Sequence, residues 1–164
     1  MLGVARRSER IEERAKQLSD KKGKLHAIKA DLTKEEDILT VFKWATENLG
    51  PVHVLINNAG IVAFTNLTEG KTEDWKSVFD LNVIALSIAT REAVKIMKEN
   101  KINGHIVHVN SILGHKVFNY PGLSVYPASK FAVTALTETL RQELNHQGLK
   151  IKITVGLLFL CVCC

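Results

Sequence analysis

The 164-residue chain has no cysteine before position 161, only three prolines, and ten glycines that never cluster. A body free of cysteine is not a disulfide framework. Cys161, Cys163 and Cys164 fall short of a zinc set, so a reduced, cytoplasmic protein is expected. Long hydrophobic runs are missing too. The terminal stretch Val155 to Cys164 is ten residues, whereas a membrane helix needs about 20. Met1 to Ala5 passes straight into charge, which is not a signal peptide. No repeat or low-complexity linker interrupts the chain. What is present, 46% hydrophobic and 24% charged residues with a mean hydropathy of +0.03, describes a globular domain able to bury about 70% of its unfolded surface. The net charge of +5 is confined to residues 1–30, which hold nine Lys or Arg against four Asp or Glu; the rest carries thirteen of each. There Arg6, Arg7, Arg10, Arg14, Lys16 and Lys21 alternate with Glu9, Glu12, Glu13 and Asp20 at helical spacing. That pattern reads as a solvated amphipathic helix rather than a nucleic-acid surface.

Short apolar runs alternate with amphipathic stretches. Strands are expected at Leu2 to Ala5, Leu25 to Ala30, Val52 to Ile56, Gly104 to Val109 and Lys150 to Val155. Ser8 can cap a helix with apolar positions Ile11, Ala15 and Leu18. Thr33 to Glu36 reads as a capping box before the stripe Ile38, Val41, Phe42, Ala45 and Leu49, stopped by Gly50-Pro51. Thr72 opens a long helix to about Asn100, and Val125 to His146 forms the last. Strands returning through such helices are parallel, so the fold class is α/β, a doubly wound parallel sheet.

Chemistry in such sheets lies beyond the carboxyl ends of the strands, where this chain places Arg6-Arg7, Asp31-Leu32, Asn57 to Gly60 and Asn110-Ser111. The strongest local signal is Tyr126-Pro-Ala-Ser-Lys130. Positions i and i+4 share a helical face, roughly 5–6 Å apart at Cβ. At an effective dielectric near 20, an ammonium about 5 Å from a phenol favours the phenolate by roughly 3 kcal/mol, about two pKa units. A phenol lowered that far can act as general acid or base at neutral pH. The other tyrosine, Tyr120, is also followed by proline but has Ser124 at its fourth position. His105 and His108 lie three apart in a strand and so face opposite ways, a structural pattern rather than a ligand one.

Together, Asn57-Asn58-Ala59-Gly60, Asn82-Val83, Ser111 and Tyr126-x-x-x-Lys130 resemble, in order and spacing, the short-chain dehydrogenase/reductase family, with a Rossmann-like sheet. The resemblance implies that Tyr126 exchanges the proton with the substrate oxygen. Lys130 would lower its pKa and hold the nicotinamide ribose, Ser111 would bond the carbonyl, and Asn82 would anchor a water relay to Lys130. It places Asn58, Ala59 and Gly60 beside the cofactor and Asp31 and Leu32 by the adenine. Arg6 and Arg7 suit a 2′-phosphate, which implies NADP rather than NAD. The stretches Leu86 to Glu92, Val109 to Val117 and Ala132 to Glu138 are similar to farnesol-dehydrogenase-like and related cytosolic NADP-dependent carbonyl and steroid reductases. A small apolar alcohol or ketone is then the substrate, which the apolar loop Val117 to Pro121 suits. In the intact family the helices at Thr72–Asn100 and Val125–His146 form a homo-oligomer interface.

The family begins with a strand and a glycine-rich turn that cradles the pyrophosphate; here the first strand matches the family's second. Residues 1–155 accordingly read as a partial domain and 156–164 as a divergent apolar tail. Three lost backbone bonds to a pyrophosphate would forfeit roughly 4–9 kcal/mol. The expectation is a truncated reductase, with an inactive dimerisation partner of an intact relative as the alternative.

Overall fold

The computed structural model describes residues 1–158; the cysteines and the last part of the apolar run lie outside the described residues. The chain divides into two units, Met1–Pro51 and Val52–Cys164. Strand pairing divides with it, into a two-stranded and a three-stranded sheet. Every paired strand is parallel, as the helical connections require.

In the first unit β1 (Leu2–Ala5) pairs with β2 (His26–Lys29), Leu2 opposite His26. The connecting helix α1 (Glu9–Gln17) carries Ile11 close over β1: a Cβ at Gly3 would meet Ile11 Cγ2 at 2.8 Å. Ile11 and Ala15 are half-buried and Leu18 is exposed, so the charged surface of α1 is a solvated one. Helix α2 (Glu35–Leu49) buries Ile38, Val41, Phe42 and Ala45, the expected stripe apart from exposed Leu49. Gly50, at φ +88°, ends it in a conformation that L side chains resist. The capping box does not form. Asp31 Oδ1 accepts from both the Thr33 hydroxyl (2.7 Å) and the Thr33 amide (3.1 Å), so Thr33 is spent in a turn and the helix starts after Lys34.

The second unit is built on β4 (His105–Ser111), flanked by β3 (Val54–Asn57) and β5 (Lys152–Leu158). β5 runs three residues past the expected end, into Gly156–Leu158. Helix α4 (Leu86–Glu99) packs on β3, and α5 (Tyr126–His146) on β4 and β5. The core here includes Val78, Ala93, Met97, Ile106 and Val133, each wholly buried. Met97 comes so close to the sheet that a Cβ at Gly104 would lie 2.5 Å from its Sδ and 2.8 Å from the His53 carbonyl oxygen. The long helix expected from Thr72 runs unbroken to Glu99 but is not α-helical throughout. α3 (Thr72–Phe79) widens into a π-helical turn over Asp80–Ala85 before α4 begins. No described helix is long and apolar enough to cross a membrane.

Two predictions follow from this packing. Gly104→Ala should lower stability in urea by about 1–3 kcal/mol, while Gly156→Ala, with nothing among the described residues within 4 Å, should stay within about 0.5 kcal/mol. His108 is 1% exposed, and burial pulls its imidazole from 6.5 down to about 4. The unfolded chain therefore takes up that proton first as pH falls. The stability contributed is whole above about pH 6.5 and drains toward pH 4. The urea midpoint should fall more steeply between pH 6.5 and 4.5 in the unmodified chain than in His108→Gln; equal slopes would refute the assignment.

Candidate active site

Four of the residues singled out in the sequence come together at the carboxyl end of the three-stranded sheet. Asn82 is 1% exposed, Ser111 2%, Tyr126 8% and Lys130 7%. Each arrives by a different local device. Ser111 is the last residue of β4 and caps the 3₁₀ turn Ile112–Gly114 by accepting from the Leu113 amide at 3.2 Å. Tyr126 opens α5, its entry fixed by Pro127 in the first turn. Lys130 follows one turn later on the same face, Nζ 5.8 Å from the Tyr126 ring centroid.

The Asn82 side chain is fully committed. Its Oδ1 accepts from the Ile61 amide (2.9 Å) and its Nδ2 donates to the Ile61 carbonyl (2.9 Å). Nδ2 also donates to Ser129 Oγ at 3.1 Å, and Ser129 in turn donates to the Tyr126 carbonyl at 2.7 Å. One amide thus ties the π-helical turn, the segment after Gly60 and the first turn of α5. Gly60 passes close to both partners: a Cβ there would sit 3.3 Å from Asn82 Oδ1 and 3.9 Å from Lys130 Nζ. Asn58, Ala59 and Gly60 are exposed. Ser129, wholly buried, was not singled out, although its place three residues after Tyr126 puts it on the same face.

The electrostatics differ from the expectation for an exposed pair. Lys130 Nζ donates to the Val109 carbonyl at 3.1 Å rather than reaching the phenol oxygen. Burial lowers its pKa, since an ammonium out of water is disfavoured. Burial likewise raises Tyr126 above the ordinary 10.0, opposed only in part by a hydrogen bond with Ser111. The depressed phenol expected from the Tyr126–Lys130 spacing is therefore not found: desolvation raises the phenol, and what draws it back is the bond with Ser111. The wall behind the phenol is apolar, formed by Leu113 and Leu123 with Val62 and Ile112. Thr65 and Leu123 bridge the two loops beside it. Val117, Phe118 and Tyr120 are exposed on the second loop, Phe64 and Leu67 on the first.

The other residues singled out belong to the first unit. Arg6 and Arg7 are exposed just past β1. Asp31 and Leu32 are half-buried past β2, held alongside by the Ala30 amide bonding the Ala5 carbonyl at 3.2 Å. Thr33 is the main cause of a lowered Asp31 pKa, with Arg6 a smaller one. Among the described residues no cluster of His, Cys, Asp or Glu could hold a metal ion.

The family model for short chain dehydrogenases matches residues 1–158. Farnesol dehydrogenase from Aedes aegypti is 47% identical over 156 residues, 94% of this chain and 64% of that protein. Dehydrogenase/reductase SDR family member 11 from Homo sapiens is 43% identical over 157 residues, 94% of this chain and 60% of that protein. The chain thus spans less than two thirds of the length of these curated relatives. Among solved structures, a short-chain dehydrogenase/reductase from Burkholderia phymatum in complex with NAD superposes with a TM-score of 0.89 at 27% identity, covering 96% of this chain and 56% of that one. A short-chain dehydrogenase/reductase from Mycobacterium marinum gives 0.88 at 26% identity, covering 94% and 61%. With the family model spanning nearly every described residue and relatives above 40% identity, the chain belongs to the short-chain dehydrogenase family.

Proposed function

We propose that the chain is an oxidoreductase working with a nicotinamide cofactor, NADP(H), on a small apolar alcohol or ketone, with Tyr126 as general acid and base. The observation that carries this reading is a buried phenol bonded to the Ser111 hydroxyl, with the Lys130 ammonium over its ring and Leu113 and Leu123 packed against it.

The residues beside Tyr126 fit the nicotinamide end of such a cofactor, while the described residues hold no glycine-rich turn for its pyrophosphate. Lys130 uses one N–H on Val109, and an ammonium has three, which leaves donors for ribose hydroxyls. Gly60 has no side chain where the chain passes Lys130, so the exposed Asn58–Gly60 turn can lie against a flat ring. Within the first unit, taken by itself, the exposed guanidiniums of Arg6 and Arg7 are of the kind that takes a 2′-phosphate. When bound, the cofactor supplies or accepts the hydride at the substrate carbon. Ser111 donates to the substrate oxygen, and Tyr126 delivers its proton to that oxygen in reduction or takes it back in oxidation.

Because burial keeps the Tyr126 proton on, the resting site is set for reduction. Carbonyl reduction should hold steady through neutral pH and fall as the phenol ionises at high pH. Alcohol oxidation, which needs the phenolate, should rise over the same range. Opposite slopes in the two pH–rate profiles support the assignment, and parallel slopes refute it. Tyr126→Phe should lower kcat/KM by about 10²- to 10⁴-fold while leaving the NADPH dissociation constant within about twofold. NADPH fluorescence titration tests the cofactor directly. Micromolar binding, tighter for NADPH than NADH, supports this reading; affinity of millimolar or weaker would favour the alternative, a partner subunit for an intact reductase.

A further inference from the structure

His108 has no part in the chemistry above, yet it is among the most deeply buried side chains of the protein. It stands on β4 directly opposite Asn57 on β3, so both side chains rise on one face of the sheet. Two helices meet them there. Thr90 of α4 lies 3.3 Å from His108 Nε2 and accepts from Asn57 Nδ2 at 3.0 Å. Thr137 of α5 lies 2.9 Å from His108 Nδ1.

The directions of these bonds are not free. Thr137 Oγ1 donates its one hydroxyl proton to the Val133 carbonyl at 2.7 Å, so toward His108 it can only accept. His108 must then carry its proton on Nδ1, and burial keeps the ring neutral, leaving Nε2 bare. Thr90 gives its own proton to that nitrogen and offers its lone pair to the Asn57 amide. The result is a one-way chain from Asn57 through Thr90, His108 and Thr137 to the backbone of α5, the helix that carries Tyr126 and Lys130. Asn57 is the last residue before the Asn58–Gly60 turn.

We infer that His108 is a positioning residue for this turn: as the acceptor at the middle of the chain it holds Thr90 in the one orientation that takes the Asn57 amide. The placement of the turn is a property of the unliganded chain; only its use in holding a cofactor rests on the function proposed above.

Nitrogen-15 spectra of the histidines in the unmodified chain should show a protonated Nδ1 and a bare Nε2 on His108. A proton on Nε2 overturns the inference, and this reading needs no variant to fold. Thr90→Val removes both of the Thr90 bonds while keeping its shape. In the unliganded chain, amide exchange at Asn58 and Ile61 should then speed up by about fivefold to tenfold, with Ile106 in β4 unchanged. Thr90→Ser, which restores the hydroxyl, should return both amides to within about twofold. Unchanged exchange at Asn58 and Ile61 in Thr90→Val also overturns it. A failed NADPH titration would instead remove the proposed function and leave these exchange rates as they are.

Discussion

A positive charge enclosed at the start of α5 sets the terms for everything around it. Lys130 is 7% exposed, and an ammonium removed from water is tolerated only where acceptors replace the lost hydration. The acceptor supplied is the Val109 carbonyl, which ties the lysine to the strand that ends in Ser111. Once Lys130 is held there, Tyr126 one turn earlier faces the same strand end, and Ser111 meets the phenol. The backbone crossing in front must be thin, which is why Gly60 stands beside Lys130 and Asn82. Each neighbour is a consequence of where the charge had to go.

The sheet face beneath continues the theme. Ile106, His108 and Asn110 alternate along β4 and are all buried toward the helices. Above Ile106 the contacts turn polar. His108 meets Thr137, and Asn110 Nδ2 donates to Thr134 at 2.9 Å, which donates to the Gly114 carbonyl, also at 2.9 Å. An apolar interface would have fixed α5 by volume alone. Directional bonds also fix its rotation and its height along the strand, because a donor must find an acceptor at one place. That is the tolerance a site needs when a phenol, a hydroxyl and an ammonium must converge.

Much of this was legible beforehand, for physical reasons that differ by element. β1 was bounded correctly by its change from apolar to charged residues, α2 by its stripe and Gly50, and α5 by Pro127 and its periodicity. The site residues were found because parallel sheets put chemistry past strand ends, where polar residues stand out against apolar runs. What the sequence does not show is which of several partners a polar group takes. Thr33 reads as a cap, but its hydroxyl goes to Asp31, two residues back. Asn82, within the π turn, bonds the backbone of Ile61, a partnership that local spacing does not contain. At Tyr126 the spacing to Lys130 carries the attraction of the ammonium but not the cost of enclosing a phenolate, and that cost raises the phenol. The spacing of His105 and His108 does not show the two partners of His108, because Thr90 and Thr137 come from separate helices.

The widened turn at Asp80–Ala85 has an evolutionary consequence. An α-helix advances about 100° per residue, so a single added residue would normally swing every later side chain off its face. A π turn absorbs such an addition within the helix, with no loop to betray it. α3 keeps Val78 inward, α4 keeps Leu86, Thr90, Ala93 and Met97 inward, and within the widened turn between them Asn82 bonds the backbone of Ile61. Removing one residue here would leave a smoother helix and an unclasped site. Such a deletion would barely change helical content, and selection would meet it instead as a looser clasp between residues 82 and 61 and in the chemistry beside it.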